Sequence, residues 1–147
     1  MKFLIGTSII VEIDRHHEDT IQFLQDLVEK KEELIISMAT VTEILTGSYL
    51  RRDANIAVLR AKEILNQFLW KDFEGETAEI AAKLVSYLLL EKKMIEYPDI
   101  IIAATFVSTK SDYLITLNKK DFIVFPHIKN QVYTPQEFME KNKFRVT

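Results

Sequence analysis

The chain has 147 residues, no cysteine, and a formal net charge of -3 with a pI near 5.7. That length suits one domain with a substantial core, and the lack of cysteine excludes disulfides and thiolate metal sites, as fits a cytoplasmic protein. Mild acidity argues against a module that grips nucleic acid chiefly by neutralising phosphates, but not against a nuclease whose carboxylates bind metal.

Three glycines and three prolines leave little room for long loops, so most of the chain is expected to be regular structure. Lys2 to Ile5 is short and apolar and reads as a buried strand ending at the turn Gly6-Thr7-Ser8. Its resemblance to a signal peptide fails, because Glu12 and Asp14 interrupt the apolar run and no small-x-small cleavage site follows. Ser8 is placed to cap a helix over Ile9 to about Asp14. Glu18, Asp19 and Thr20 open a second helix, with Ile21, Leu24, Leu27 and Val28 at helical spacing and Lys30-Lys31 at its end.

Leu34 to Ser37 is a second buried strand. Thr40-Val41-Thr42-Glu43 starts a third helix reaching about Leu50, and Arg51-Arg52 follow it. Asp53 to Leu69 is predicted as a long helix, Trp70 to Phe73 as a brief strand, and Glu76 to Lys93 as another long helix. Pro98 suits a first helical turn and Asp99 its positive dipole end, in a helix reaching about Ser108. Tyr113 to Thr116 forms a strand, and the last strand comes from Phe122 to Phe125 or from Gln131 to Tyr133. Thr134-Pro135-Gln136-Glu137 opens a final helix by a capping box. No apolar stretch approaches the ~20 residues of a membrane span.

Short strands alternating with helices imply parallel pairing. The expected fold is therefore a single α/β domain over residues 1–147, with three α/β/α layers and a mostly parallel central sheet.

In such a sheet, Glu43, Asp99 and Asp121 fall at the C-terminal ends of strands, where open α/β sheets bind ligands. Acids gathered there without counter-charges point to Mg²⁺, which prefers oxygen ligands and retains water. Each acid also has a plainer reading. Glu43 can complete a capping box with Thr40, Asp99 can serve its helix dipole, and Asp121 can cap a turn with Asn118.

Four segments carry a family resemblance: Lys2-Phe3-Leu4-Ile5-Gly6-Thr7-Ser8-Ile9-Ile10; Ile36-Ser37 through Thr40, Glu43 and Gly47; Pro98-Asp99-Ile100-Ile101-Ile102-Ala103-Ala104; and Thr116-Leu117-Asn118-Lys119-Lys120-Asp121-Phe122. In order and over nearly the whole length, the chain resembles PIN-domain ribonucleases of the VapC type, the toxins of toxin-antitoxin pairs. The resemblance implies a PIN-like α/β/α fold, Mg²⁺ or Mn²⁺ dependence, RNA hydrolysis leaving 5′-phosphate and 3′-hydroxyl ends, and a VapB-type antitoxin as partner. By position it makes Glu43 and Asp99 metal ligands, with Asp121 and Asn118 completing the far side of the pocket. Ser8 and Thr116 would orient carboxylates or bound water. Arg51, Arg52, Lys119 and Lys120 are candidate RNA contacts, against the plainer reading of solvated surface charge.

One position departs from the pattern. Where the family has an aspartate after the first strand, this chain has Gly6. Gly6 would otherwise be a catalytic and metal-ligand position, so the chain as written is expected to be impaired. A glycine easing a tight turn is the structural alternative. The residue is either natural, or a substitution of an aspartate favoured because active RNA-cleaving toxin harms its host. The competing functional reading is accordingly a catalytically silent PIN-like module that binds antitoxin or RNA. A phosphatase or receiver domain fits less well, since the first strand presents no aspartate nucleophile.

His16-His17 reads as a solvated loop rather than a metal site, and Trp70 and Tyr49 as packing residues rather than base-stacking ones. The apolar helices from Ala54 to Leu69 and Ile80 to Leu90 carry more apolar surface than one small sheet covers, which points to a homodimer or a docked antitoxin helix.

Overall fold

The computed structural model describes residues 1–145, with side chains through residue 142. Five strands form one parallel sheet: β1 (Lys2–Ile5), β2 (Glu33–Ser37), β3 (Leu69–Lys71), β4 (Tyr113–Ile115) and β5 (Val132–Tyr133), in the order β3-β2-β1-β4-β5. Seven α-helices accompany them among the described residues: α1 (Thr7–Asp14), α2 (Glu18–Glu29), α3 (Met38–Tyr49), α4 (Ala54–Leu65), α5 (Gly75–Leu90), α6 (Tyr97–Ser108) and α7 (Pro135–Arg145). None of the described helices is long and apolar enough to cross a membrane.

Side-chain alternation along the strands divides the core into two layers. Leu4, Ile35, Leu114 and Val132 point to one face, where α5, α6 and the buried Phe122 and Phe125 cover them. Phe3, Ile5, Leu34, Ile36 and Ile115 point to the other, against α1, α2, α4 and α7. Phe138 of α7 packs edge-on against Phe3 and Tyr113, with ring centroids 5.3 and 4.9 Å away. Burial on both faces explains why the strands are short apolar runs rather than half-polar ones.

Helix starts correct several sequence expectations. Ser8 does not cap α1: the helix begins at Thr7, with Gly6 at the cap position and no side-chain cap. His17 caps α2 by accepting from the Thr20 amide at 3.4 Å, and it lies 3.4 Å from Glu12, so it is more than a solvated loop residue. Ser37 caps α3 by accepting from the Ala39 amide at 3.0 Å, which starts that helix two residues before Thr40. The Thr40–Glu43 capping box therefore does not form. α4 stops at Leu65, not Leu69, and the Leu65 carbonyl, which accepts from the Phe68 amide at 3.1 Å, also accepts from the Trp70 indole at 2.9 Å. Trp70 remains 42% exposed, so it is pinned rather than packed inside.

Val132–Tyr133 supplies the last strand. Phe122 to Phe125 instead lies in tight turns, because its two phenylalanines plug the core. At the start of α7, Thr134 accepts from the Glu137 amide at 3.2 Å, one half of the expected box.

Candidate active site

β2, β1 and β4 are neighbours, so the segments leaving their C-terminal ends lie side by side. Gly6 follows β1, Glu43 sits in the second turn of α3, and Asp121 lies in a 3-10 turn (Lys119–Asp121) after β4. α6 brings Asp99 to the same rim in its first turn. A pocket of about 180 Å³ opens there, lined by Thr7, Ser8, Glu43, Glu96, Asp99 and Asn118 together with Thr116 and Phe122.

Asp99 is the most perturbed of these acids. Its carboxyl is pushed up to about 6, first by burial, then by the negative charges of Asp121 and Glu43, by hydrogen bonding to the Asp121 carboxyl, and by Glu96. Ionising it means adding a negative charge among negative charges in a half-dry site. A carboxyl perturbed in this way, by burial and by specific neighbouring acids at a cleft, marks a candidate functional site.

The donor chemistry suits a hard divalent cation, since every acid offers oxygen. The number of donors falls short: among the described residues no three His, Cys, Asp or Glu side chains converge as a metal centre requires. Gly6 contributes no oxygen from its side. Its φ of -75° and ψ of 161° are open to any L-residue, so the turn does not require glycine. Space is the tighter constraint. A Cβ on residue 6 would lie 3.2 Å from the Ile115 carbonyl oxygen and equally close to Cβ and Oγ1 of Thr116. A side chain there requires β4 to give by a few tenths of an ångström.

Hydroxyl groups organise the rest. Glu43 accepts from the Thr7 hydroxyl at 2.8 Å, and Thr7 also meets the Thr40 hydroxyl at 2.9 Å. Among the described residues, Ser8 and Thr116 hydrogen-bond to no carboxylate. Ser8 accepts from the Leu117 amide at 2.9 Å and meets Thr116 Oγ1 at 3.2 Å, while Thr116 accepts from the Asn118 amide at 3.0 Å. They shape the loop that carries Asn118, whose side-chain amide donates to Asp121.

The four basic candidates divide. Arg51 pairs with Asp53 at 3.2 Å and Asp14 at 3.8 Å, and Lys119 pairs with Glu137 at 2.7 Å. Arg52 and Lys120 are exposed, with no ion pair among the described residues.

Sequence reasoning missed Thr7, Thr40 and Glu96. Glu96 had a visible signal, standing at the cap position three residues before Asp99. The two threonines had none, because only the packing of α1 against α3 brings them together.

The protein family model described as PIN domain matches residues 3–128. A curated relative, Ribonuclease VapC of Rickettsia bellii (strain RML369-C), is 27% identical over 132 residues, covering 88% of this chain and 94% of the relative. Among solved structures, the chain resembles VapBC2 from Rickettsia felis bound to a DNA fragment from their promoter. The TM-score is 0.82 and the identity 21%, over 91% of this chain and 98% of that one. FitAcB from Neisseria gonorrhoeae is likewise similar, with a TM-score of 0.74 and 24% identity over 91% and 98% of the respective chains. The parallel sheet, the rim of acids and the family match agree: the chain belongs to the PIN domain family.

Proposed function

We propose that this chain is a VapC-type toxin built to hydrolyse RNA phosphodiester bonds with Mg²⁺ or Mn²⁺, and that Gly6 leaves it weak or silent as written. The observation that carries this reading is the nearness of Glu43 and Asp121 to Asp99 at one rim, where burial first and those two charges second push the Asp99 carboxyl up to about 6. Glu43, Asp99 and Asp121 would hold the cation, joined by an aspartate at position 6. When bound, the cation supplies an activated water and neutralises charge on the attacking and leaving oxygens. The chain's own groups do the remainder. The Thr7 hydroxyl holds Glu43, Asn118 holds Asp121, and the Ser8–Thr116 pair keeps the intervening loop in place. Lys120, exposed in the turn that carries Asp121, and Arg52, exposed just after α3, are the cations most available to RNA phosphates.

The similar solved structures include VapBC2, which is bound to DNA, and a toxin-antitoxin complex from Klebsiella pneumoniae. For this chain we propose a VapB-type antitoxin as partner, a homodimer and a cytoplasmic setting. Supporting an assembly, Ile56 and Leu59 on α4 are 60% and 65% exposed, and Leu89 and Leu90 on α5 are 71% and 83% exposed.

The test is Gly6→Asp, assayed on a pool of cellular RNA with Mg²⁺, Mn²⁺ or EDTA. Cleavage is expected to rise at least about 100-fold over the parent, in line with the loss of a group that supports a metal, and to vanish in EDTA. Crowding around residue 6 favours the second reading, a module that binds antitoxin or RNA without cutting. A folded Gly6→Asp protein that cuts no RNA would establish that reading instead.

A further inference from the structure

The hydroxyls of α3 follow one habit with a single departure. Thr42 donates to the Met38 carbonyl at 2.9 Å, Thr46 to the Thr42 carbonyl at 2.7 Å, and Ser48 to the Ile44 carbonyl at 3.0 Å. Each returns to its own helix four residues back, as helical hydroxyls commonly do. Thr40 does not. Its side chain is wholly buried, and its hydroxyl crosses to α1 to meet Thr7 Oγ1 at 2.9 Å.

A hydroxyl has one proton to give and two lone pairs to fill. Thr7 spends its proton on Glu43 Oε1 at 2.8 Å, because an ionised carboxylate can only accept. The 2.9 Å contact with Thr40 is therefore one that Thr40 donates. The chain of donation runs one way, from Thr40 to Thr7 to Glu43.

We propose that Thr40 is a positioning residue for Glu43, acting through Thr7. By filling a lone pair on Thr7, Thr40 fixes the rotation of that hydroxyl and commits its proton to Oε1. Oε2 takes no hydrogen bond among the described residues and stays available to a cation. Thr40 thus sets the geometry of a carboxylate it never touches, from a point sealed from solvent. The part of this inference that concerns metal rests on the ribonuclease reading; the direction of the hydroxyl chain does not.

The test compares Thr40→Val, which keeps the shape and removes the hydroxyl, with Thr40→Ser, which keeps the hydroxyl. In the Gly6→Asp background, Mn²⁺ affinity is read by electron paramagnetic resonance. Thr40→Val is expected to weaken it about tenfold and Thr40→Ser to stay within about twofold of the parent, the scale typical of groups that orient a metal ligand. Equal affinity for Thr40→Val and the parent overturns the proposal. So does Thr40→Ser binding as weakly as Thr40→Val, which would make the effect one of packing.

Should folded Gly6→Asp bind no Mn²⁺, the ribonuclease reading is what fails, and should it not fold, Mn²⁺ affinity is a readout of neither reading. The hydroxyl chain is then decided on the chain as written, by crystal structures of Thr40→Val and its parent without metal. Glu43 leaving Thr7 or occupying several rotamers supports the inference. Glu43 held in one rotamer against Thr7 overturns it.

Discussion

The two halves of the acidic rim are held by opposite means. On the β1–β2 side, Glu43 is anchored by a neutral hydroxyl chain whose donors sit on two different helices. On the α6–β4 side, Asp99 faces Asp121, and burial and like charge keep a proton there up to about pH 6. One half is organised by hydrogen bonds from hydroxyl groups, the other by burial and like charge that push a carboxyl up. The difference teaches that the site is fixed in shape on one side and poised in charge on the other.

Asp99→Asn breaks the charged half with the largest expected effect on stability. The Asp99 carboxyl stands at about 6 in the folded chain against an ordinary 3.8. Its ionisation therefore costs nothing below the ordinary value, costs progressively more as pH rises between the two, and costs the full amount above about 6. A shift of this size is worth ~3 kcal/mol for a fully shielded group, and screening at a half-buried site reduces it to about 1–2 kcal/mol. Urea unfolding should find Asp99→Asn more stable than the parent by that amount at pH 7.5, with the gap closing towards pH 4. A gap independent of pH would remove charge from the explanation.

Ser8→Ala cuts the seam between the halves, because Ser8 on α1 holds the loop after β4. Loss of those bonds should cost about 0.5–1.5 kcal/mol. Hydrogen exchange at the Leu117 and Asn118 amides should quicken while that of the Ile5 amide in β1 does not. The smallest effect is expected from Thr134→Ala. It removes the α7 cap and loosens the turn bearing Glu137, the partner of Lys119 beside the charged half. About 0.5–1 kcal/mol should be lost in thermal unfolding, with no effect on the hydroxyl chain.

The sheet and the rim were legible because apolar runs mark buried strands and acids at their C-terminal ends mark a site. The spacing of Pro98-Asp99 and of Asn118 to Asp121 carried most of that information. Helix starts were less legible, since Ser37 and Thr40 are both good caps and only the length of β2 decides between them. The same ambiguity hid Thr40: a buried hydroxyl shared between two helices has no local pattern, only a tertiary one. The surroundings of Gly6 were hidden in a different way. Its backbone is ordinary, and what crowds it is Thr116 and the Ile115 carbonyl, a neighbour relation between β1 and β4 that sequence order does not show.

The family match stops at residue 128, yet the folded unit does not. Phe138 of α7 sits at the centre of an aromatic cluster with Phe3, Phe23, Tyr113 and Tyr133, drawing in residues from the first strand and the last. From the same helix, Glu137 holds Lys119 beside the acids. Trimming the chain to the boundary of the recognised family would therefore strip a gasket from one core layer and release a cation next to the site. For anyone choosing where to cut or fuse this protein, the tail is structural hardware rather than spare length.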